Sequence, residues 1–101
     1  YTLKIVPELR NSLIDFLKEN NIPVMIYYPV PLYKQEAFSS YVNSDFKIAN
    51  VEQLCNTVFS LPNHTEIENS SQDFIIQKVK EFFNKIYNGF KKLFRSRKFL
   101  C

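Results

Sequence analysis

Apolar and polar residues alternate through Tyr1-Thr2-Leu3-Lys4-Ile5-Val6, and the β-branched content adds to the signal, so a short half-buried strand is expected there. Pro7 ends it. Proline suits a first helical turn, and Leu9, Leu13, Phe16 and Leu17 recur at helical spacing, which predicts a helix over Pro7 to Glu19. Asn20-Asn21 can cap that helix because asparagine tolerates the left-handed conformation. The run Ile22-Pro23-Val24-Met25-Ile26-Tyr27-Tyr28 reads as a second strand, halted by Pro29-Val30-Pro31. A rigid loop and a helical turn or two over Lys34 to Tyr41 follow. Ile48, Val51, Leu54, Cys55 and Val58 mark another helix, and Val58-Phe59-Ser60-Leu61-Pro62 a third strand ending at proline. From a cap at Ser70 or Ser71, Phe74, Ile75, Val79, Phe82, Phe83, Ile86 and Tyr87 form the stripe of a long helix. That order predicts an α+β domain, a small sheet of about three strands covered by helices, with Val79, Phe82, Phe83 and Ile86 sealing it.

Composition narrows the function classes. In 101 residues, 46% apolar and 16% aromatic, one ordinary globular domain is expected, and no apolar run reaches the ~18 residues of a membrane-spanning helix. A single glycine, Gly89, excludes the glycine-rich phosphate loops and dinucleotide fingerprints. One histidine and two cysteines cannot make a four-ligand zinc site of the Cys/His kind or a disulfide scaffold. A reducing, cytoplasmic setting is expected, and the two glycosylation-like triplets at Asn63 and Asn69 read as chance. The chain begins at Tyr1 and has its only methionine at Met25, so it reads as a piece of something longer.

Charge is uneven. Lys78 to Lys98 holds eight basic residues against Glu81, a balance of +7, while residues 1–77 hold five basic and nine acidic, a balance of −4; together they give the net +3. Phe90, Leu93 and Phe94 continue an apolar pattern beyond Gly89 opposite Lys91, Lys92, Arg95, Arg97 and Lys98, so residues 88–101 form a basic amphipathic tail on a domain of residues 1–87. Such a tail could meet nucleic acid or an anionic membrane, but a solvated helix face accounts for most of it, and neither contact is expected.

No catalytic constellation stands out. Cys55, on an apolar helix face, reads as a small core residue. His64 sits in a loop after a proline, where a histidine can serve a site or merely face solvent. The carboxylates Glu8, Asp15, Glu19, Glu66, Glu68 and Asp73 read as solvated faces and helix-start charges, with none assigned to catalysis. In Tyr27-Tyr28-Pro29-Val30-Pro31-Leu32-Tyr33, two prolines freeze three phenols in a fixed array after a strand. The array fits ligand contact, but composition alone favours a proline-terminated edge strand whose rings pack.

The stretch Asn21-Ile22-Pro23-Val24-Met25-Ile26-Tyr27-Tyr28-Pro29-Val30-Pro31-Leu32-Tyr33-Lys34-Gln35-Glu36-Ala37-Phe38, followed by Val58-Phe59-Ser60-Leu61-Pro62-Asn63-His64, strongly resembles the C-terminal region of the DegT/StrS-like sugar aminotransferases. The likeness runs from about Tyr1 to Tyr87 and includes the helices of Arg10, Leu13 and Leu17 and of Ala49 to Val58. Tyr33 departs from a usual histidine and Thr65 from a usual proline. The resemblance implies the small C-terminal domain of a fold-type-I enzyme that uses pyridoxal phosphate to move an amino group, usually from glutamate, onto a nucleotide-linked keto sugar. It implies a partner large domain carrying the Schiff-base lysine, in the same or a separate chain, and a homodimer when complete. It places Tyr27, Tyr28, Pro29 and Tyr33 nearest the nucleotide-sugar substrate, with His64 second. No position matches the Schiff-base lysine, so this chain alone is expected to bind no cofactor and not to transaminate. A standalone binding module with a basic tail for anionic surfaces, and a gene remnant, are the alternatives.

Overall fold

Chain chemistry sets the element boundaries of the computed structural model, which describes residues 1–97, with side chains as far as Leu93. The first strand, β1, covers Thr2–Lys4, and the first helix, α1, covers Pro7–Glu19 with Pro7 in its first turn. At its end Asn21 adopts φ 59°, the Asn21 N–H donates to the Lys18 carbonyl and the Ile22 N–H to the Leu17 carbonyl. This is a Schellman closure, with asparagine in the left-handed position and Ile22 turned into the core over Leu17. Two single 3₁₀ turns, Leu32–Lys34 and Glu36–Phe38, replace the expected helical turns of the following loop. Helix α2 (Ala49–Thr57) runs without a break into strand β2 (Val58–Ser60), and α3 spans Asn69–Arg97. Ser70 and Ser71 lie inside the first turn of α3 rather than before it, with Ser70 Oγ donating to Glu68 Oε2.

The fold is α+β, with a two-stranded antiparallel sheet in the register Thr2↔Ser60, Leu3↔Phe59 and Lys4↔Val58. The expected strand over residues 22–28 contracts to one bridge, in which Met25 and Ser60 exchange both backbone hydrogen bonds at 3.1 and 2.8 Å. The reason lies in the neighbouring rungs. In an antiparallel ladder the next hydrogen-bonded pairs would be Pro23 with Pro62 and Tyr27 with Val58. The two prolines have no N–H, and the Val58 N–H is already donated to the Leu54 carbonyl at the end of α2. β2 is therefore central, with β1 on one edge and Met25 on the other.

Leu3 and Phe59 share the inner face of the sheet, where Leu13, Ile14 and Leu17 of α1 and Phe82 of α3 close over them. Ile75, Val79 and Ile86 extend the same seam, whereas Phe83, expected in it, is largely outside and touches the core edge-on through Phe82, with ring centroids 5.5 Å apart. The Arg10 guanidinium donates to the Cys55 carbonyl, tying α1 to α2, and Cys55 is buried, as its helix face implied. The other face of the sheet is open to solvent, with Thr2, Lys4 and Met25 exposed and Thr2 Oγ1 hydrogen-bonded to Ser60 Oγ at 2.9 Å. α3 continues through Gly89, and of the tail, Lys98 and Cys101 lie outside the described residues, as do the side chains of Phe94, Arg95 and Arg97.

Candidate functional site

The Tyr/Pro segment leaves the sheet at Met25, with Tyr27 beside the open sheet face and Tyr33 at the start of α2. Pro29 and Pro31 restrict the backbone, Pro31 is buried, and Tyr27, Tyr28, Pro29 and Val30 are exposed. Tyr27 borders an open depression with Tyr1, Met25, Ser60 and Asn63, directly on the uncovered sheet face. His64 lines the adjacent depression with Pro23, Pro62, Ile67 and Phe74. Pro23 and Pro62 border both, so Tyr27 and His64 flank a shared rim, and each is exposed.

Tyr33 lies elsewhere. Its hydroxyl donates to Glu52 Oε1 at 2.8 Å and accepts from the Ile48 N–H at 3.1 Å, and its ring meets Phe46 edge-on with centroids 5.2 Å apart. Lys34 Nζ closes the cluster on the same Glu52 oxygen at 2.8 Å. The lysine ammonium and then the tyrosine hydroxyl hold the Glu52 carboxyl below its ordinary value of 4.5, and the same contact raises Lys34 above its own 10.5. This half-exposed cluster pins the first 3₁₀ turn to the start of α2. Glu52 escaped the sequence analysis because a separation of nineteen residues across a loop leaves no periodic trace; a lone glutamate in the first turn of a helix has a sufficient reason in the helix dipole.

The remaining chemistry is sparse. Among the described residues no three His, Cys, Asp or Glu side chains gather as a metal site. Every described lysine is exposed except Lys78, which is half-buried and ion-paired to Glu81 at 3.0 Å. None therefore sits as the desolvated amine that covalent carbonyl chemistry requires. What the described residues offer is an aromatic and proline edge beside an open sheet face.

That geometry can be set beside known proteins. Residues 1–80 match the model of the DegT/DnrJ/EryC1/StrS aminotransferase family. A pleiotropic regulatory protein from Geobacillus stearothermophilus is 34% identical over 74 residues, 73% of this chain and 20% of the relative. A dTDP-3-amino-3,6-dideoxy-alpha-D-galactopyranose transaminase from Aneurinibacillus thermoaerophilus is 31% identical over 73 residues, 72% of this chain and again 20% of the relative. In three dimensions the chain resembles a DegT DnrJ EryC1 StrS aminotransferase from Brucella abortus, with a TM-score of 0.71 and 32% identity across 81% of this chain and 21% of that one. The chain thus spans about a fifth of the length of the relatives it matches. A family match over four-fifths of its residues, joined to a superposable fold, makes this chain a member of the DegT/DnrJ/EryC1/StrS aminotransferase family.

Proposed function

We propose that this chain is the small C-terminal domain of a pyridoxal-phosphate-dependent aminotransferase acting on nucleotide-linked keto sugars, and that it does not transaminate alone. The observation that carries the reading is the exposed Tyr27-Tyr28-Pro29 edge beside an uncovered sheet face, in a chain a fifth as long as its relatives. Such an edge is half of a cleft: its phenols can hydrogen-bond sugar hydroxyls, and its rings can cover the apolar face of a sugar, once a second body closes the other side. A large domain, in the same or another polypeptide, is that second body, and the complete enzyme is a homodimer.

Within this proposal Tyr27, Tyr28 and Pro29 contact the nucleotide sugar directly. The Tyr33 hydroxyl spends its proton on Glu52 and one lone pair on Ile48, which leaves a single lone pair for a substrate hydroxyl. Its larger effect is to fix the end of the loop. His64 supplies a second polar group from the adjoining rim. Pyridoxal phosphate, when bound to the complete enzyme, supplies the electron sink for amino transfer. The described residues do not fit that group, since their lysines are exposed or ion-paired, so no step is assigned here to a lysine of this chain. The buried free thiol of Cys55 accords with work in the reducing cytoplasm.

The test is to join this chain to the large domain of a family member and measure amino transfer from glutamate to a nucleotide-linked keto sugar, together with cofactor absorbance. Transfer that requires this chain, with a raised KM in Tyr27→Ala and Tyr28→Ala, is the expected result. A folded joint protein with neither cofactor absorbance nor transfer overturns the proposal.

A further inference from the structure

Helix α3 changes character along its length. Ile75, Val79, Phe82 and Ile86 face the core, and at ~100° per residue Phe83, Tyr87 and Phe90 fall on a strip that flanks that seam, about a quarter-turn round the helix. All three are exposed, Phe90 by 57%. A Cβ placed on Gly89 would meet nothing within 4 Å, so nothing in the domain packs against that side of the helix. The family match ends at residue 80, which leaves this half of the helix outside the part shared with the aminotransferases.

The charge of the segment says what suits the strip. After Glu81 the sequence has no acidic residue and six basic ones, Lys85, Lys91, Lys92, Arg95, Arg97 and Lys98. Lys85 is taken up by the domain, paired to Glu81 at 2.9 Å and 4.9 Å above the Phe16 ring. Lys91, next to the strip, and Lys92, behind it, are exposed. A second copy docking strip to strip would bring like charges together with no acid to offset them. Duplex nucleic acid would use the cations and leave the three rings in water. An anionic lipid surface takes both, since rings of this size settle at the headgroup boundary while long basic side chains reach the phosphates.

We propose that the outer half of α3 is a docking helix for an anionic lipid surface, laying Phe83, Tyr87 and Phe90 into the headgroup region. Sequence alone points away from such contact. The clear space around Gly89 and the exposed strip reverse that balance, and the proposal stands whether or not the chain serves transamination.

The chain has no tryptophan, so Phe90→Trp makes a single-site reporter in the full chain. Its emission is expected to shift to the blue with mixed phosphatidylcholine–phosphatidylglycerol vesicles and not with pure phosphatidylcholine, and added salt should weaken the partitioning. Replacing Lys91 with glutamine should weaken it by about fivefold, the effect of removing one cation at an anionic surface, and Lys92→Gln, on the opposite side of the helix, should weaken it less. Tyr87→Trp serves as a second reporter, and far-UV circular dichroism checks that each variant folds. The proposal is overturned if neither reporter shifts, if the shift ignores headgroup charge, if it grows with protein concentration without vesicles, or if duplex DNA binds more tightly than the vesicles do.

Discussion

Phe82 and Phe90 stand eight residues apart on one helix, and the architecture gives them opposite energetic weights. Phe82 is 7% exposed, with its ring 5.6 Å from that of Phe16 and closed in by α1 and the sheet. Removing such a ring in Phe82→Ala loses its burial and leaves a cavity, a cost of about 3–5 kcal/mol. For a chain of this length a total stability of about 5–15 kcal/mol is usual, and a core of so few buried side chains places it near the lower end. With a urea slope of about 2 kcal/mol per molar, the midpoint should fall by about 1.5–2.5 M. Phe90→Ala removes a ring from solvent, so its effect should stay within about 0.5 kcal/mol, a midpoint shift of about 0.25 M or less. Urea titrations of both variants, followed by far-UV circular dichroism, make the comparison. Equal losses would refute the reasoning, because they would mean that the outer half of α3 is packed as tightly as the inner half.

Two further perturbations probe other parts of the fold. Because Lys34 and Tyr33 depress the Glu52 carboxyl in the folded chain, the contribution of that cluster is complete above the ordinary value of 4.5 and fades as the pH falls through the lowered one. NMR shifts of the Ile48 amide and Tyr33 ring should report that step on acidification, and a step that survives in Glu52→Gln would assign it to another group. Gly89→Ala meets open space inside a helix, so it should raise thermal stability or helicity by about 0.5–1 kcal/mol, and a loss would mean that the chain is not helical there.

The parts of the fold that follow from local rules were legible in the sequence. α1 begins at Pro7 and ends in the Asn20-Asn21 closure because proline geometry, apolar spacing and the left-handed tolerance of asparagine all act within a few residues. The middle strand failed for a reason that only pairing reveals. Ile22 to Tyr28 has the composition of a strand, but each rung beside Met25 lacks a donor, one through paired prolines and the other because α2 has already taken the Val58 N–H. Strand propensity belongs to one segment, whereas a ladder needs two, and no periodicity records what the second has to give.

The candidate site shows the same division. Two prolines and three phenols in seven residues mark Tyr27, Tyr28 and Pro29 as a local pattern, the family resemblance is what sets that pattern beside a substrate, and the structure leaves the edge exposed. The long-range partners had no such trace. Glu52 reaches Tyr33 across a loop, and Pro62 completes the rim beside Pro23 from the end of the central strand. The loop is therefore held at both ends by residues distant in sequence: at Met25 by the bridge to Ser60, and at Tyr33 by Glu52 and the Ile48 amide. Between those anchors Tyr27 and Tyr28 have no hydrogen-bonding duty to the sheet, which leaves their phenols available to a ligand or a covering domain. In the proposed complete enzyme, an edge fixed at its ends and unengaged in its middle would form a stiff cleft wall that loses little entropy when the cleft closes.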